Sequence, residues 1–256
     1  YDMRANKLSR LIMSALGLAA LLCAYPVQLS SQQSVTVQID NDDIGGVVTS
    51  AKGPEAGVWV IAETTELPTR FARMVVTDDG GRYVLPDLPK ANYSIWVRGY
   101  GLVDSTKVKS APGKILNLKA VVAPNDAAAA QIYPAIHWYS MMKIPDKSQF
   151  GGEGNIPAKI TQTEWLNSMK SNGCIGCHQL GQLSTRTFPK NAPHPFNFTN
   201  SEEAWFRRIQ SGQSGESMFA TLVKDLGAAP VRYFADWTDR IAKGELPHAK
   251  PARPQG

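Results

Sequence analysis

Residues 75–101, VVTDDGGRYVLPDLPKANYSIWVRGYG, decide how the first half of the chain folds. The apolar runs here are short, alternate in character, and are punctuated by turn-formers: Asp78-Asp79-Gly80-Gly81, Pro86-Asp87, Pro89 and Gly99. A period of two puts alternate side chains on one face of a strand, and such punctuation leaves no room for a helix. Working outward, the same pattern recurs at 44–50 (IGGVVTS), 57–64 (GVWVIAET), 72–77 (ARMVVT), 104–110 (DSTKVKS) and 114–122 (KILNLKAVV), with Gly53-Pro54 and Pro112-Gly113 as turn pairs. About seven short strands at regular spacing predict an all-β, Greek-key sandwich of antiparallel sheets over residues 40–123. Period-two logic turns Val58, Val60, Val75, Tyr83, Ile95, Val97, Ile115 and Leu118 toward its core.

The order of these pieces is specific. G-x-V near the start is followed by E-A-G-V-x-V, then V-V-T-D-D-G-G-R-Y-V-L-P-D-L-P, then Y-x-I-x-V-x-G-Y-G. Over residues 44–122 this resembles the carboxypeptidase regulatory-like domain, a prealbumin-type sandwich. Lys90-Ala91-Asn92 departs from that family's P-x-G-x-Y turn. The resemblance implies a stabilising or docking module without chemistry of its own. Asp78, Asp79 and Asp87 have the residue types of a calcium site, and equally those of turn capping, which is favoured. Trp59 and Trp96 can stack a sugar or pack the sheet, so carbohydrate enters as a candidate partner, with packing favoured.

The chain has 256 residues, 43% hydrophobic and 19% charged, with net charge +5. This excludes collagenous, disordered and multi-span membrane classes, and no basic run argues for nucleic acid as a partner. Arg4, Lys7 and Arg10 precede the apolar run Leu11–Ala24. This reads as a secretory signal peptide within residues 1–31, cleaved after Ala24 or around Ser30-Ser31. An uncleaved segment would instead anchor the protein to the membrane. Leu22 before Cys23 argues against a lipid-attachment cysteine. Export predicts a periplasmic protein, and loss of Cys23 leaves Cys174 and Cys177 as the cysteines of the mature chain.

Residues 124–155 read as a connector. Asp126–Ile132 can form a turn or two of helix before Pro134, and His137, Met141 and Met142 are expected to dock this segment on one of its neighbours rather than form a ligand box. Beyond it, over residues 156–247, the pattern becomes helical. Thr161-Gln162-Thr163-Glu164 is a capping box that starts a helix at Gln162, with Met169 turned toward the core. Thr199-Asn200-Ser201-Glu202 is read as a second box, opening a helix through Ile209. A third helix begins with Pro230 and carries Tyr233, Phe234, Trp237 and Ile241 as one stripe before stopping at Gly244.

Between the first two helices lies Cys174-Ile175-Gly176-Cys177-His178, the C-x-x-C-H haem-attachment spacing. Two thiols three positions apart can add to the vinyl groups on one porphyrin edge, while the adjoining imidazole reaches the iron. A thiol–disulfide oxidoreductase would need a βαβ context, and a zinc site would need a second ligand pair. The helix before the motif, the Pro-containing loop after it, the middle helix and the terminal helix together resemble the class I cytochrome c fold. The chain is thus expected to pair a β-sandwich with an all-α cytochrome c domain, in which haem would be the central piece of the helical core.

Carried over by position, the resemblance makes Cys174 and Cys177 the thioether anchors of one haem c. It makes His178 the proximal ligand, its other ring nitrogen donating to a backbone carbonyl, and Met218 in GQSGESMF the distal ligand. Phe219 stands where the family has proline. His194 in APHPF is the competing distal ligand, an open position is the third possibility, and His248 belongs to a Pro-rich tail at 248–256. The module order also resembles the N-terminal part of bacterial secreted proteins that end in a virginiamycin-B-lyase-like propeller, so the tail reads as a linker to a missing domain. The expected function is periplasmic electron transfer by Fe(II)/Fe(III) cycling, without enzyme activity of its own, to a redox partner protein or to that missing domain. Two alternatives stand beside it. One is a haem enzyme with an open distal site for peroxide or small-molecule chemistry. The other is a carbohydrate- or protein-binding module with haem as structure or sensor.

Overall fold

The computed structural model describes residues 37–152, 156–188 and 198–254. The signal segment read at 1–31 and the competing ligand His194 lie outside the described residues. No helix among the described residues is long and apolar enough to cross a membrane.

The first part is built from β1 (Ile44–Ser50), β2 (Gly53–Pro54), β3 (Trp59–Thr64), β4 (Phe71–Val76), β5 (Arg82–Leu85) and β6 (Tyr93–Arg98). Shorter strands follow: β7 (Leu102–Val103), β8 (Val108–Ser110), β9 (Lys114–Ile115), β10 (Leu118–Lys119) and β11 (Val121–Val122). One sheet runs β4-β3-β6-β8, antiparallel throughout, with Val60 opposite both Val75 and Val97. The other is centred on β1, which pairs antiparallel with β5 and β2 and parallel with β9 and β10. β7 and β11 form a separate two-stranded ladder. The last strands therefore lie alongside the first and parallel to it, a non-sequential neighbour relation that alternation within single strands does not announce.

The inward residues of both sheets share one core, among them Ile44, Val48, Val58, Val60, Tyr83, Leu85, Ile95, Val97 and Leu118. One expected core residue is displaced. Ile115 is 50% exposed, and Leu116 packs against the core in its place. β9 is only two residues long and its ladder breaks before β10, so a single period-two count across 114–122 slips by one.

The second part is helical: α1 (Asp126–Ala130), α2 (Ala135–Tyr139), α3 (Gln162–Leu166), α4 (Cys174–Cys177), α5 (Leu183–Arg186), α6 (Ser201–Arg208), α7 (Gly215–Phe219) and α8 (Ala229–Ala242). Thr161 and Glu164 make the predicted capping box on α3. On α6 the cap is Asn200, one residue later than the box read from sequence, and Glu203 rather than Glu202 reaches back, accepting from the Thr199 amide at 2.9 Å. Two tandem Ser/Thr/Asn-x-x-Glu frames overlap here, and the one with asparagine in the extended cap conformation prevails. α8 starts at Ala229 and carries Phe234 and Trp237 fully inward, with Tyr233 and Ile241 at the rim.

The segment read as a connector belongs to this second core. Trp138, Tyr139, Met141 and Met142 are buried in it beside Trp165, Trp205, Phe234 and Trp237. Its polar atoms are tied in as well: Trp237 Nε1 donates to the Trp138 carbonyl at 2.8 Å, and Arg240 donates to the Met141 carbonyl. The tail does not trail free. Lys250 pairs with Asp126 at 3.6 Å, and Arg253 pairs with Glu55 of the β part. Pro254 lies so close over Gly57 that a Cβ there would sit 2.3 Å from its ring.

Candidate functional site

Cys174 and Cys177 occupy the single turn of α4, and His178 leaves that turn in extended backbone, its amide still bonded to the Cys174 carbonyl at 3.2 Å. The two thiols are unbonded and differ in setting. Cys174 is half-buried, its sulfur 4.0 Å from the Met169 sulfur, while Cys177 and His178 are exposed. Burial pushes the Cys174 thiol up to about 11, so in the folded chain it is protonated and a poor nucleophile. The expected donation from the His178 ring to a backbone carbonyl is not seen; among the described residues its imidazole has no hydrogen-bond partner. That ring stands clear on the surface, with both nitrogens open to a ligand.

Met218 lies on α7, and both Met218 and Cys174 pack on the rim of the same helical core. The chain departs from α-geometry beside each of them. Residues Asn167–Ser171, just before α4, and Ala220–Asp225, just after α7, are wound as π-helix, closed by i→i+5 bonds such as Asn172 N to Asn167 O at 2.8 Å. Wide turns of this kind concentrate at functional sites. The centre of the helical core, however, is filled by protein: Trp165 and Trp237 are fully buried there, and Trp205 stacks on Phe234 at 4.7 Å. The sequence reading placed haem at the centre of this core, a position these side chains occupy in the structure. Cys174 packs at the rim, and six aromatic side chains, Trp138, Tyr139, Trp165, Trp205, Phe234 and Trp237, are buried in the middle. A cleft of about 690 Å³ opens elsewhere, between α6 and α8, lined by Lys143, Arg232, Tyr233 and Asp236 among others and by none of the four predicted ligands.

Sequence reasoning missed a set of inward-turned cations, one buried and two half-buried. Arg186 is 5% exposed, stacks on Trp138 at 3.9 Å and donates to the Gly181 carbonyl at 2.6 Å. Arg208 donates to the carbonyls of Ser184, Thr185 and Thr187 while lying over Phe188 and Trp205. Lys170 donates to the Tyr139 carbonyl at 3.0 Å and rests on that ring. None of the three has a carboxylate in its described ion pairs, and burial pulls Lys170 down to about 8 and Arg186 to about 10. Trp165 adds a buried indole N–H with no partner among the described residues. Arginine and lysine are ordinarily exposed, so residue type pointed the other way and no signal in the sequence marked these cations.

The donor chemistry fits a c-type haem. Two thiols share one helical turn, an imidazole adjoins them, a thioether borders the same core, and Arg186, Lys170 and Arg208 carry positive charge that two propionates would meet. The aspartates read against calcium resolve as turn capping at Asp78. Its Oδ1 accepts from the amides of Gly80 at 3.0 Å and Arg82 at 2.8 Å, and no metal-ligating cluster is present among the described residues. Trp96 is buried under Lys107, whose ammonium sits 3.8 Å from the ring centroid, and Trp59 packs edge-on to Tyr100.

No protein-family model matches the chain, and no curated protein matches it. Solved structures give β-sandwich likenesses over about a third of the chain. A streptococcal ancillary pilin is 15% identical with TM-score 0.28, covering 34% of this chain and 31% of the pilin, so the match spans less than a third of the pilin's length. The 5-hydroxyisourate hydrolase of Klebsiella pneumoniae is 16% identical with TM-score 0.24, covering 35% of this chain and 91% of the hydrolase. A candidate carbohydrate-binding protein from Pseudomonas aeruginosa is 16% identical with TM-score 0.22, covering 33% and 92%. These agree loosely with a prealbumin-type sandwich. At such TM-scores they carry no argument, and they do not bear on haem.

Proposed function

We propose that this protein is an exported c-type cytochrome that carries one covalent haem and transfers electrons. The observation that supports it is C-x-x-C-H wound on a single turn at the edge of an aromatic core, Cys174 half-buried, Cys177 and His178 exposed, and the imidazole without a hydrogen-bond partner among the described residues. Bound there, haem would supply one-electron Fe(II)/Fe(III) cycling without a binding step for substrate. The chain's own contributions are mechanical and electrostatic. Cys174 and Cys177 would tether the group, and His178 and Met218 would hold its iron, the thioether raising the potential relative to a second histidine. The close-packed aromatic core behind the motif gives it a rigid inner wall, so little of the protein would rearrange around a change of charge. Arg186 and Lys170 offer cationic charge to propionates, and the β-sandwich serves as a docking or stabilising module.

Burial of Cys174 adds a constraint on assembly. Thioether formation requires an accessible thiol, so attachment precedes or accompanies packing of α4 onto Met169. The test is expression in a host with cytochrome maturation machinery, followed by acid–acetone extraction and oxidised and reduced spectra. Colour retained on the polypeptide with a low-spin spectrum supports the reading. A colourless chain with two unmodified cysteine masses refutes it, and a high-spin, cyanide-binding iron refutes the distal assignment to Met218 in favour of an open site.

A further inference from the structure

The β part buries a carboxylate against a segment that arrives from the far end of the chain. Glu55, directly after β2, is 4% exposed, and its backbone is pinned on both sides by Val48 and Thr77. Its partner Arg253 comes from residues 247–254, PHAKPARP, which run without helix or strand. Three prolines in these eight residues hold the segment extended, so little chain entropy is lost when it seats. Two glycines in left-handed backbone make its bed, Gly57 at φ +64° and Gly101 at φ +72°. A Cβ on Gly57 would intrude on the Pro254 ring, and one on Gly101 would lie 3.8 Å from Arg253 Cδ. Proline suits the position over Gly57 for a second reason: it has no amide N–H to leave stranded against the sheet.

We infer that Glu55, Gly57 and Gly101 form a recognition site for an extended polypeptide segment carrying arginine directly before proline, with Arg253-Pro254 as its resident occupant. The inference goes beyond the cytochrome reading and does not depend on haem. A tail that needed only to be held down would be held as well by an apolar pair, because a buried ion pair gains little beyond its own desolvation. What the carboxylate adds is discrimination. A segment without a cation leaves Glu55 desolvated and unpaired, a penalty that an apolar site would not impose. Among cations, the weakly hydrated guanidinium is cheaper to bury than an ammonium, and the Arg253 side chain keeps only 23% of its exposure. Tethering presents Arg253-Pro254 to the site at high local concentration, so a segment from another polypeptide enters only when the tail's own hold is weakened.

The experiment titrates the isotope-labelled full chain with a capped synthetic peptide of residues 250–256, KPARPQG, and follows the Gly57 and Gly101 amides by NMR. In Arg253→Ala the peptide should shift both amides saturably at about millimolar concentration, and the wild type should need at least about tenfold more, because its own tail competes at millimolar effective concentration. Peptides with alanine or lysine in place of the arginine should bind at least about fivefold more weakly, as should the original peptide to Arg253→Ala combined with Glu55→Gln. Should Arg253→Ala be too unstable to titrate, Arg253→Lys keeps a charge opposite Glu55 and takes its place with the same expectations. No saturable shift, equal binding of the alanine peptide, or equal binding of arginine amide alone overturns the inference. A wild type that sediments as a dimer and is broken by Arg253→Ala would make the seated tail a second copy's, which overturns the resident assignment. Haem-loaded and haem-free chains should titrate alike, so a chain that proves to carry no haem leaves these outcomes unaltered.

Discussion

Replacing Arg253 by alanine should unfasten the tail and strand a buried carboxylate. Glu55 is 4% exposed, and its backbone is fixed by its amide bond to the Val48 carbonyl at 2.9 Å and by the Thr77 hydroxyl on its own carbonyl at 2.6 Å, so it cannot swing out to water without breaking β-structure. Removing one member of a buried pair costs about 3–5 kcal/mol when the other stays desolvated. The Arg253 side chain retains 23% exposure, and once shortened the tail can lift from Gly57 and admit water. We therefore expect a loss of about 2–3 kcal/mol, a fall in Tm of roughly 5–10 °C. Adding Glu55→Gln to Arg253→Ala should recover more than half of it, because a neutral amide is far cheaper to bury than an unpaired carboxylate. Urea titration at neutral pH, with the four chains compared as a double-mutant cycle, reads this directly. An Arg253→Ala chain within about 0.5 kcal/mol of the wild type, or a double variant no better than the single, would show that the tail does not hold Glu55 in solution.

Met218→Ala in the haem-loaded protein should convert a low-spin spectrum to a high-spin one that binds carbon monoxide, with a lowered potential; an unchanged spectrum removes Met218 from the iron. In the folded chain without haem, iodoacetamide should modify Cys177 well before Cys174, and denaturant should abolish the difference, as read by peptide mass; equal rates would contradict the burial of Cys174. Lys170→Met should stabilise that chain at pH 7 by on the order of 1–2 kcal/mol after allowance for solvent screening. Because burial holds Lys170 near 8 in the folded state against about 10.5 unfolded, the cost is fully present below pH 8 and vanishes as pH rises toward 10.5. The advantage of the variant should shrink across that window, and a pH-independent difference would show that the ammonium is not desolvated. Arg208→Met should cost about 2 kcal/mol by freeing the carbonyls of Ser184, Thr185 and Thr187 at the end of α5, measured by thermal unfolding.

The strands from β3 to β6 were legible because each alternates over at least four residues and is closed by glycine or proline; the period and the turn chemistry agree. The capping box at Thr161 and the Pro-initiated α8 were legible for the same reason, since their signals are local. Ile115 failed where a two-residue strand gave the period nothing to run on. The cap of α6 slipped by one residue because two overlapping Thr/Asn frames compete for the same glutamates.

The motif at 174–178 is a covalent spacing, and spacing along a chain needs no fold to be read. The C-x-x-C-H turn, the run of strands and the helical stripes all follow from residues near one another in sequence, where backbone geometry alone decides who can touch. The folded chain decided what was left to long-range packing. It brought residues 127–142 into the helical core, filled that core's centre with indoles, turned Arg186 and Lys170 inward, and laid Arg253 across Glu55. Each of those outcomes depends on which distant segment excludes water from a given side chain, and solvent exclusion is a property of three-dimensional neighbours that one-dimensional order does not contain.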